Sequence, residues 1–128
     1  MIEPLGDRRW MLLVYRGGSF IDGLAILEAD EGELGRAITG TKYFAELRVL
    51  IVDDERVDAK ALHEQLGIPV LHPEGGRLTG LGLSERRLRQ LLRLITLDGE
   101  PEPLRVARLI ARRLRESGIL KSRPQEQQ

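Results

Sequence analysis

The sequence contains no cysteine and only two histidines, His63 and His72. A disulfide framework, a thiol nucleophile and a cysteine-based zinc site are therefore excluded. No apolar stretch is long enough to span a bilayer, and the N-terminus has no signal-peptide pattern. We therefore expect a soluble protein of the cytoplasm.

The charged residues balance overall but are unevenly distributed along the chain. The 20 basic and 20 acidic residues give a formal net charge of zero, yet residues 1–83 hold 9 basic and 14 acidic residues, whereas residues 84–128 hold 11 and 6. An acidic half beside a basic half suits a metal-dependent enzyme acting on a polyanion. It equally suits charge pairing within the molecule or between subunits.

The length of 128 residues favours one domain with a buried core of its own. We predict a single α/β domain over residues 1–118 and a polar, disordered tail over residues 119–128.

One stretch stands out, LRVLIVDDERVD at residues 47–58. Its apolar, β-branched run predicts a strand buried on both faces of a sheet. The run ends in Asp53, Asp54 and Glu55, and the carboxyl ends of strands are where open α/β sheets bind ligands. The alternative is a solvated turn in which Asp54 or Glu55 helps to start the next helix.

The remaining pattern alternates strands and helices. The opening residues 1–7 are predicted to be irregular, because Pro4 and Gly6 interrupt them. Strands are predicted at 10–15, 20–27 and 68–72, and helices at 30–40, 57–67, 84–96 and 104–116. The first two strands form a hairpin with Asp22 on the second strand, either aimed at one face or on an exposed edge. The glycine-rich residues 73–82 match no phosphate-binding loop and predict a turn with room for an edge strand.

Four segments, in this order and spacing, resemble motifs of the archaeal endonuclease dU family, also called domain of unknown function ninety-nine. They are RGGSFIDGL at 16–24, KYFAELRVLIVDD at 42–54, GIPV at 67–70 and GLSERRLRQLLRLITLDGEPEPLRVARLIA at 82–111. The PEPLRVA portion of the last segment is the most specific of these. The likeness extends over roughly residues 10–115, and the family is itself similar to endonuclease V.

This resemblance implies an RNase-H-like fold, in which a mixed β-sheet is covered by helices and acidic residues gather at strand ends around Mg²⁺ or Mn²⁺. It implies hydrolysis of a phosphodiester bond near a deaminated base, as in DNA repair. Asp53 matches the acidic position after the central strand, Asp22 that of the hairpin, and Glu102 and Arg105 the PEPLR segment. The candidate catalytic residues are Asp53, Asp22 and Glu102, the candidate metal ligands are Asp53 and Asp54, and the candidate substrate-binding residues are Arg105, Arg108 and Arg16.

The sequence also departs from the family pattern. The family's usual first strand, which carries an acidic motif ahead of the hairpin, is expected to be missing here, with Asp7 as its only remnant. Arg108 replaces the histidine of the family motif. Two hypotheses therefore stand: a divalent-metal-dependent endonuclease on deaminated or damaged nucleic acid, with DNA favoured over RNA, or a catalytically degenerate relative that binds nucleic acid or protein. A missing strand would leave an open sheet edge and favour a homodimer.

Overall fold

The segment from residue 2 to residue 28 forms an antiparallel sheet of three strands in the computed structural model. The strands are β1 (Ile2–Gly6), β2 (Arg9–Arg16) and β3 (Phe20–Glu28), paired in that order. Asp7 and Arg8 form the turn between β1 and β2, and their φ angles of 49° and 61° are the left-handed values that a two-residue hairpin turn requires.

The structure describes residues 1–16, 20–97 and 100–117, apart from the side chains of 16, 20, 95–97, 100–102 and 104. The predicted Gly-Gly turn of the β2–β3 hairpin and the predicted polar tail at 119–128 lie outside the described residues.

The presence of β1 corrects two expectations from the sequence. The opening was expected to be irregular and the fold to lack its first strand, and both predictions are wrong. Met1 exchanges backbone hydrogen bonds of 2.8 and 2.9 Å with Leu13, so the alternation of an antiparallel pair turns the backbone of Pro4 away from β2. Proline is therefore tolerated in this strand, because no ladder hydrogen bond to β2 needs its missing N–H.

The segment from residue 50 to residue 81 contributes three more strands, β4 (Leu50–Ile51), β5 (Val70–Glu74) and β6 (Arg77–Leu81). Strands β4 and β5 are parallel, and β6 returns antiparallel to β5. A parallel bridge between Ile2 and Val52 places β4 beside β1, and the backbone N–H of Asp53 donates to the Ile2 carbonyl oxygen at 2.9 Å. The strands therefore lie side by side in the order β3-β2-β1-β4-β5-β6.

In the described part of the chain, four α-helices cover the strands: α1 (Leu34–Thr39), α2 (Ala59–Leu66), α3 (Glu85–Ile95) and α4 (Glu102–Glu116). A short pair of strands, β7 (Thr96–Leu97) and β8 (Glu100–Pro101), precedes α4. Asp58 caps α2 by accepting from the Ala61 N–H at 3.1 Å, and Gly67 ends it at a φ of 73°, so α2 lies within the helix predicted at residues 57–67. Within the part of the chain that the structure describes, no helix has the length and apolar character to cross a membrane.

The core has two layers because the strands alternate their side chains between two faces. One layer packs the sheet against α1 and α2, for example through Leu12, Val52 and Leu62. The other packs it against α3 and α4, through residues such as Met11 and Ile51. The fold is thus mixed α/β with helices on both faces, as predicted.

Candidate functional site

Glu3 and Asp53 meet at the carboxyl end of β4. The Ile2–Val52 bridge aligns two parallel strands, and both bridging side chains enter the layer beneath α1 and α2. The next residue on each strand, Glu3 and Asp53, therefore points to the opposite face, toward α4. The two carboxyl groups share a hydrogen bond.

Glu3 is a buried acid whose hydrogen-bonding capacity is only partly used. It is 7% exposed, and its Oε2 atom has no hydrogen-bond partner among the described residues. Burial, the hydrogen bond to Asp53 and the negative charge of that neighbour raise the pKa of Glu3 to about 8, although two nearby arginines act in the opposite direction. Glu3 is therefore mostly protonated at neutral pH, and it donates to the Asp53 carboxylate.

Asp53 remains ionised because Arg108 binds it through both oxygens. Arg108 donates from Nε to Oδ2 at 2.8 Å and from Nη2 to Oδ1 at 3.0 Å. Burial acts to raise the pKa of Asp53, but the hydrogen bonds from Arg108 and Glu3 outweigh burial, and the pKa lies below its usual value. This two-point contact is the fork geometry in which arginine binds carboxylates most strongly.

Helix α4 places its arginines at this site because small residues let it lie close to β1. Ala107 and Ala111 are fully buried against the sheet. Arg108 and Arg115 are seven residues apart, which is about two helical turns, so they lie on one side of α4. Arg115 donates from Nη1 to the Pro4 carbonyl oxygen at 2.9 Å, so the two arginines flank Glu3.

The predicted metal pair, Asp53 and Asp54, does not converge. The Asp54 carboxylate binds Arg56 instead, accepting from its backbone N–H at 2.8 Å and from Nη2 at 2.6 Å. Burial acts to raise the pKa of Asp54, but the bonds to Arg56 outweigh it, so the pKa of Asp54 is lowered. Consecutive residues point to opposite sides of an extended chain, which explains why the two aspartates have different arginine partners.

Asp22 also lies away from Asp53. It occupies a bulge in β3, opposite the step from Val14 to Tyr15, and β3 is separated from β1 by β2. Asp22 lines a separate cavity of about 450 Å³, together with Tyr15 and Arg48. The structure therefore does not bring the hairpin aspartate to the carboxylate pair.

The other predicted residues are distributed along strand β2 and helix α4. Arg105 is exposed on α4, whereas the side chains of Arg16 and Glu102 lie outside the described residues. The two histidines bond elsewhere, His63 Nδ1 to the Ile68 carbonyl oxygen at 2.7 Å and His72 Nε2 to Thr79 Oγ1 at 3.0 Å. Across residues 1–16, 20–97 and 100–117, no group of three or more acidic or histidine side chains is arranged to hold a metal ion.

Sequence reasoning missed Glu3, the buried member of the pair. One signal was available: Met1, Glu3 and Leu5 alternate with Ile2 and Pro4, which puts an acid on the inward face of a short strand. Met1 and Leu5 do enter the core layer beneath α4. The proline and glycine of the segment concealed this alternation.

Comparison with known proteins identifies the fold but no activity. Neither the protein-family models nor the curated proteins give a match to this chain. The structure is similar to a solved structure described as a protein of unknown function from Archaeoglobus fulgidus DSM 4304, with a TM-score of 0.67 and 16% sequence identity. The alignment covers 89% of this chain and 94% of that chain, so the two share a fold over most of their lengths.

Glu3 and Asp53 are the residues that could hold one divalent cation of the Mg²⁺ type. Mg²⁺ is commonly held by one or two carboxylates, with water and substrate phosphate oxygens completing its coordination. Glu3 and Asp53 would supply the two carboxylates. The buried Oε2 of Glu3 is an oxygen that the described residues leave without a hydrogen bond, and a bound cation would favour release of the Glu3 proton.

Proposed function

We propose that this protein is a divalent-metal-dependent endonuclease that hydrolyses phosphodiester bonds in deaminated or damaged nucleic acid, DNA in preference to RNA, in the cytoplasm. The observation that carries the proposal is the buried Glu3–Asp53 pair, in which Oε2 of Glu3 has no hydrogen-bond partner among the described residues. A buried polar atom without a hydrogen bond is unfavourable unless a ligand satisfies it, and a bound cation would do so at Glu3.

The strand order supports an RNase-H-like reading of this fold. In the resemblance drawn from the sequence, the first strand of such a fold supplies an acid beside the acid that follows the central parallel strand. Here β1 carries Glu3, β4 leads into Asp53, and the two strands are neighbours. This neighbourhood supports the proposal that Glu3 takes the role of the family's first acidic ligand.

The chemistry would be a hydrolytic displacement at phosphorus. A cation held by Glu3 and Asp53 would lower the pKa of a bound water and neutralise charge that develops on the phosphate. Water adds to phosphorus, one P–O bond to the neighbouring nucleoside breaks, and the leaving oxygen takes a proton. Arg105 and Arg108, on the helix above the pair, would hold phosphate oxygens.

The test is cleavage of labelled oligonucleotides that contain deoxyinosine, deoxyuridine or only normal bases, with Mg²⁺, Mn²⁺ or a chelator. We expect cleavage with the metals, and a loss of about 100-fold or more in Glu3→Gln and Asp53→Asn, because each removes a ligand charge. Asp54→Asn is the matched control, since Asp54 is bonded to Arg56, and it should cleave like the wild type. Cleavage that persists in Asp53→Asn would contradict the proposal.

The second candidate is a non-catalytic relative that binds nucleic acid or protein. The observation that favours it is the two-point bond from Arg108, which already neutralises Asp53 without a metal. This candidate predicts no cleavage under any metal condition. It also predicts that the protein binds an oligonucleotide in a fluorescence anisotropy titration and that this binding weakens with salt. The slope of log affinity against log salt concentration should be about −1 for each phosphate contact.

A further inference from the structure

We propose that Arg108 is a guard residue that holds Asp53 until a nucleic-acid phosphate takes its guanidinium, so that the cation and the nucleic acid enter the site together. This inference rests on the proposed function, because it concerns access to the same carboxylate pair. It assigns Arg108 two alternating partners, rather than the single phosphate partner that the sequence suggested.

The first step is that Arg108 and a divalent cation compete for Asp53. Both Asp53 oxygens accept from Arg108, at 2.8 and 3.0 Å. A cation of the Mg²⁺ type would sit about 2.1 Å from one of the same oxygens. Two positive groups on one carboxylate repel each other strongly in a partly buried site, so each weakens the binding of the other.

The second step is that Arg108 can leave without moving its helix. The Arg108 side chain is 48% exposed, whereas that of Asp53 is only 12% exposed, so the arginine approaches the site from solvent. The backbone of α4 is fixed independently by Ala107 and Ala111 in the core and by the bond from Arg115 to the Pro4 carbonyl. The Arg108 side chain can therefore exchange Asp53 for another partner while α4 stays in place.

The third step identifies what attracts Arg108 away. A guanidinium binds a phosphate through the same two-point geometry that it uses on a carboxylate. The phosphate of a nucleic acid lying over α4 is therefore a matched substitute for Asp53. Because coupling between two ligands is reciprocal, nucleic acid that captures Arg108 raises the affinity for the cation, and the cation raises the affinity for nucleic acid.

The consequence is a site that stays closed in the absence of substrate. With no phosphate present, Arg108 occupies Asp53 and Glu3 keeps its proton. The protein then holds divalent metal weakly.

The first measurement is Mn²⁺ binding without nucleic acid, followed by the loss of the free-ion signal in electron paramagnetic resonance. We expect Arg108→Gln to bind Mn²⁺ about tenfold or more tightly than the wild type, the gain expected from removing one charge-assisted two-point bond. Arg113→Gln is the control: it removes the same charge from the same helix, but five residues on, about 140° around the axis. Arg108→Lys, which keeps the charge and loses the fork, should fall between wild type and Arg108→Gln.

Different failures have different meanings. Equal Mn²⁺ affinity in wild type and Arg108→Gln, lost on adding Asp53→Asn, would overturn the guard and leave the metal site standing. An equal gain of Mn²⁺ affinity in Arg113→Gln would show that the loss of any positive charge on α4 is sufficient, and would also overturn the guard role of Arg108. No Mn²⁺ binding by any folded variant, as judged by thermal unfolding, would overturn both this inference and the proposed metal-dependent function.

The second measurement tests the coupling itself. Anisotropy of a fluorescent 12-nucleotide single strand would be followed with chelator and with Ca²⁺, a hard cation that takes the same oxygen ligands. We expect Ca²⁺ to tighten oligonucleotide binding more in the wild type than in Arg108→Gln, where only direct contact between the cation and a phosphate would couple the two ligands. The same Ca²⁺ effect in both proteins would contradict an exchange of partners by Arg108.

Discussion

Glu3 holds a proton that a surface glutamate has lost at neutral pH. Its pKa in the folded protein is about 8, against a usual value of 4.5, and burial is the largest cause. Between these two values the folded chain binds more protons at this position than the unfolded chain does. The contribution of Glu3 to stability is therefore full below about pH 4.5 and is lost as the pH rises through about 8.

This shift gives a prediction for Glu3→Gln in metal-free buffer. The free energy of unfolding of the wild type, relative to that of the variant, should fall between about pH 4.5 and about pH 8 and then level off, because only in the wild type does the unfolded chain lose a proton that the folded chain keeps. Urea unfolding of both proteins at several pH values measures this difference in the free energy of unfolding. The buried ammonium group of Met1, with its pKa lowered to about 5 by burial, changes stability in the opposite direction, but it is common to both proteins and cancels in the difference.

A pH-independent difference between the two proteins would contradict the protonated state of Glu3. Asp54→Asn serves as the comparison, since the pKa of Asp54 is lowered. The Asp54 carboxylate should stabilise the wild type at neutral pH and lose this effect only in acid. The stability difference between wild type and variant should therefore change with pH in opposite directions for Glu3→Gln and Asp54→Asn.

At the scale of single residues, the sequence predicted one member of the carboxylate pair. Asp53 was predictable because an apolar run ends abruptly in acids. Glu3 was not, because its significance depends on a neighbour fifty positions away in the chain, and pairing at that separation leaves no local pattern. Arg108 was assigned to a phosphate by resemblance, and only the packing of α4 on β1 reveals its bond to Asp53.

At the scale of elements, the Tyr43 ring packs closely against strand β3 at Gly23. A Cβ atom built on Gly23 would lie 2.6 Å from three atoms of the Tyr43 side chain, which packs over that strand. We expect Gly23→Ala to lower the free energy of unfolding by about 1–3 kcal/mol, because the ring or the strand must shift.

Urea unfolding compares Gly23→Ala with Gly32→Ala, where an added Cβ would meet nothing within 4 Å. Gly32→Ala should be close to neutral. If the two substitutions have equal effects, the loss of glycine itself, rather than the contact with Tyr43, is responsible. Gly23→Ala combined with Tyr43→Leu should recover part of the lost stability, since the smaller side chain vacates the space.

The helices were more predictable than the strands for a physical reason. The periodic apolar faces of α3 and α4 and the capping residues of α2 are local features, and all three helices are confirmed. Strand β1 is a short segment with Pro4 in it, and it persists because β2 and β4 pair with it from both sides. Strand β6 was predicted only as a possible edge within a glycine-rich turn, and the Gly75–Gly76 turn makes it a full hairpin partner of β5.

At the scale of the whole molecule, the homodimer expected from a missing first strand loses that basis, because β1 is present. The outer edge of the sheet gives a different reason to expect a homodimer. Strand β3 is at the end of the strand order, and Ile21, Leu24 and Ile26 on it are each about two-fifths exposed. An exposed apolar edge strand favours pairing with another strand edge.

We therefore predict a concentration-dependent dimer paired through β3. Light scattering behind size-exclusion chromatography should give a mass that rises with protein concentration, and Leu24→Lys should reduce it to that of one chain. Leu94→Lys is the control, because Leu94 is 81% exposed on α3 and away from the edge strand. A single-chain mass for the wild type at every concentration would refute the dimer.

The parallel bridge between Ile2 and Val52 also sets an order of folding events. The β1–β2–β3 meander and the β5–β6 hairpin join segments that are close in sequence and can close quickly, whereas the bridge must bring together residues fifty positions apart. Contacts at that separation carry the larger loop-closure entropy and form slowly. Glu3 and Asp53 belong to the two strands that this contact joins. We therefore expect the Glu3–Asp53 pair to form only in the step that joins β1 to β4, so that partly folded molecules would lack the proposed site.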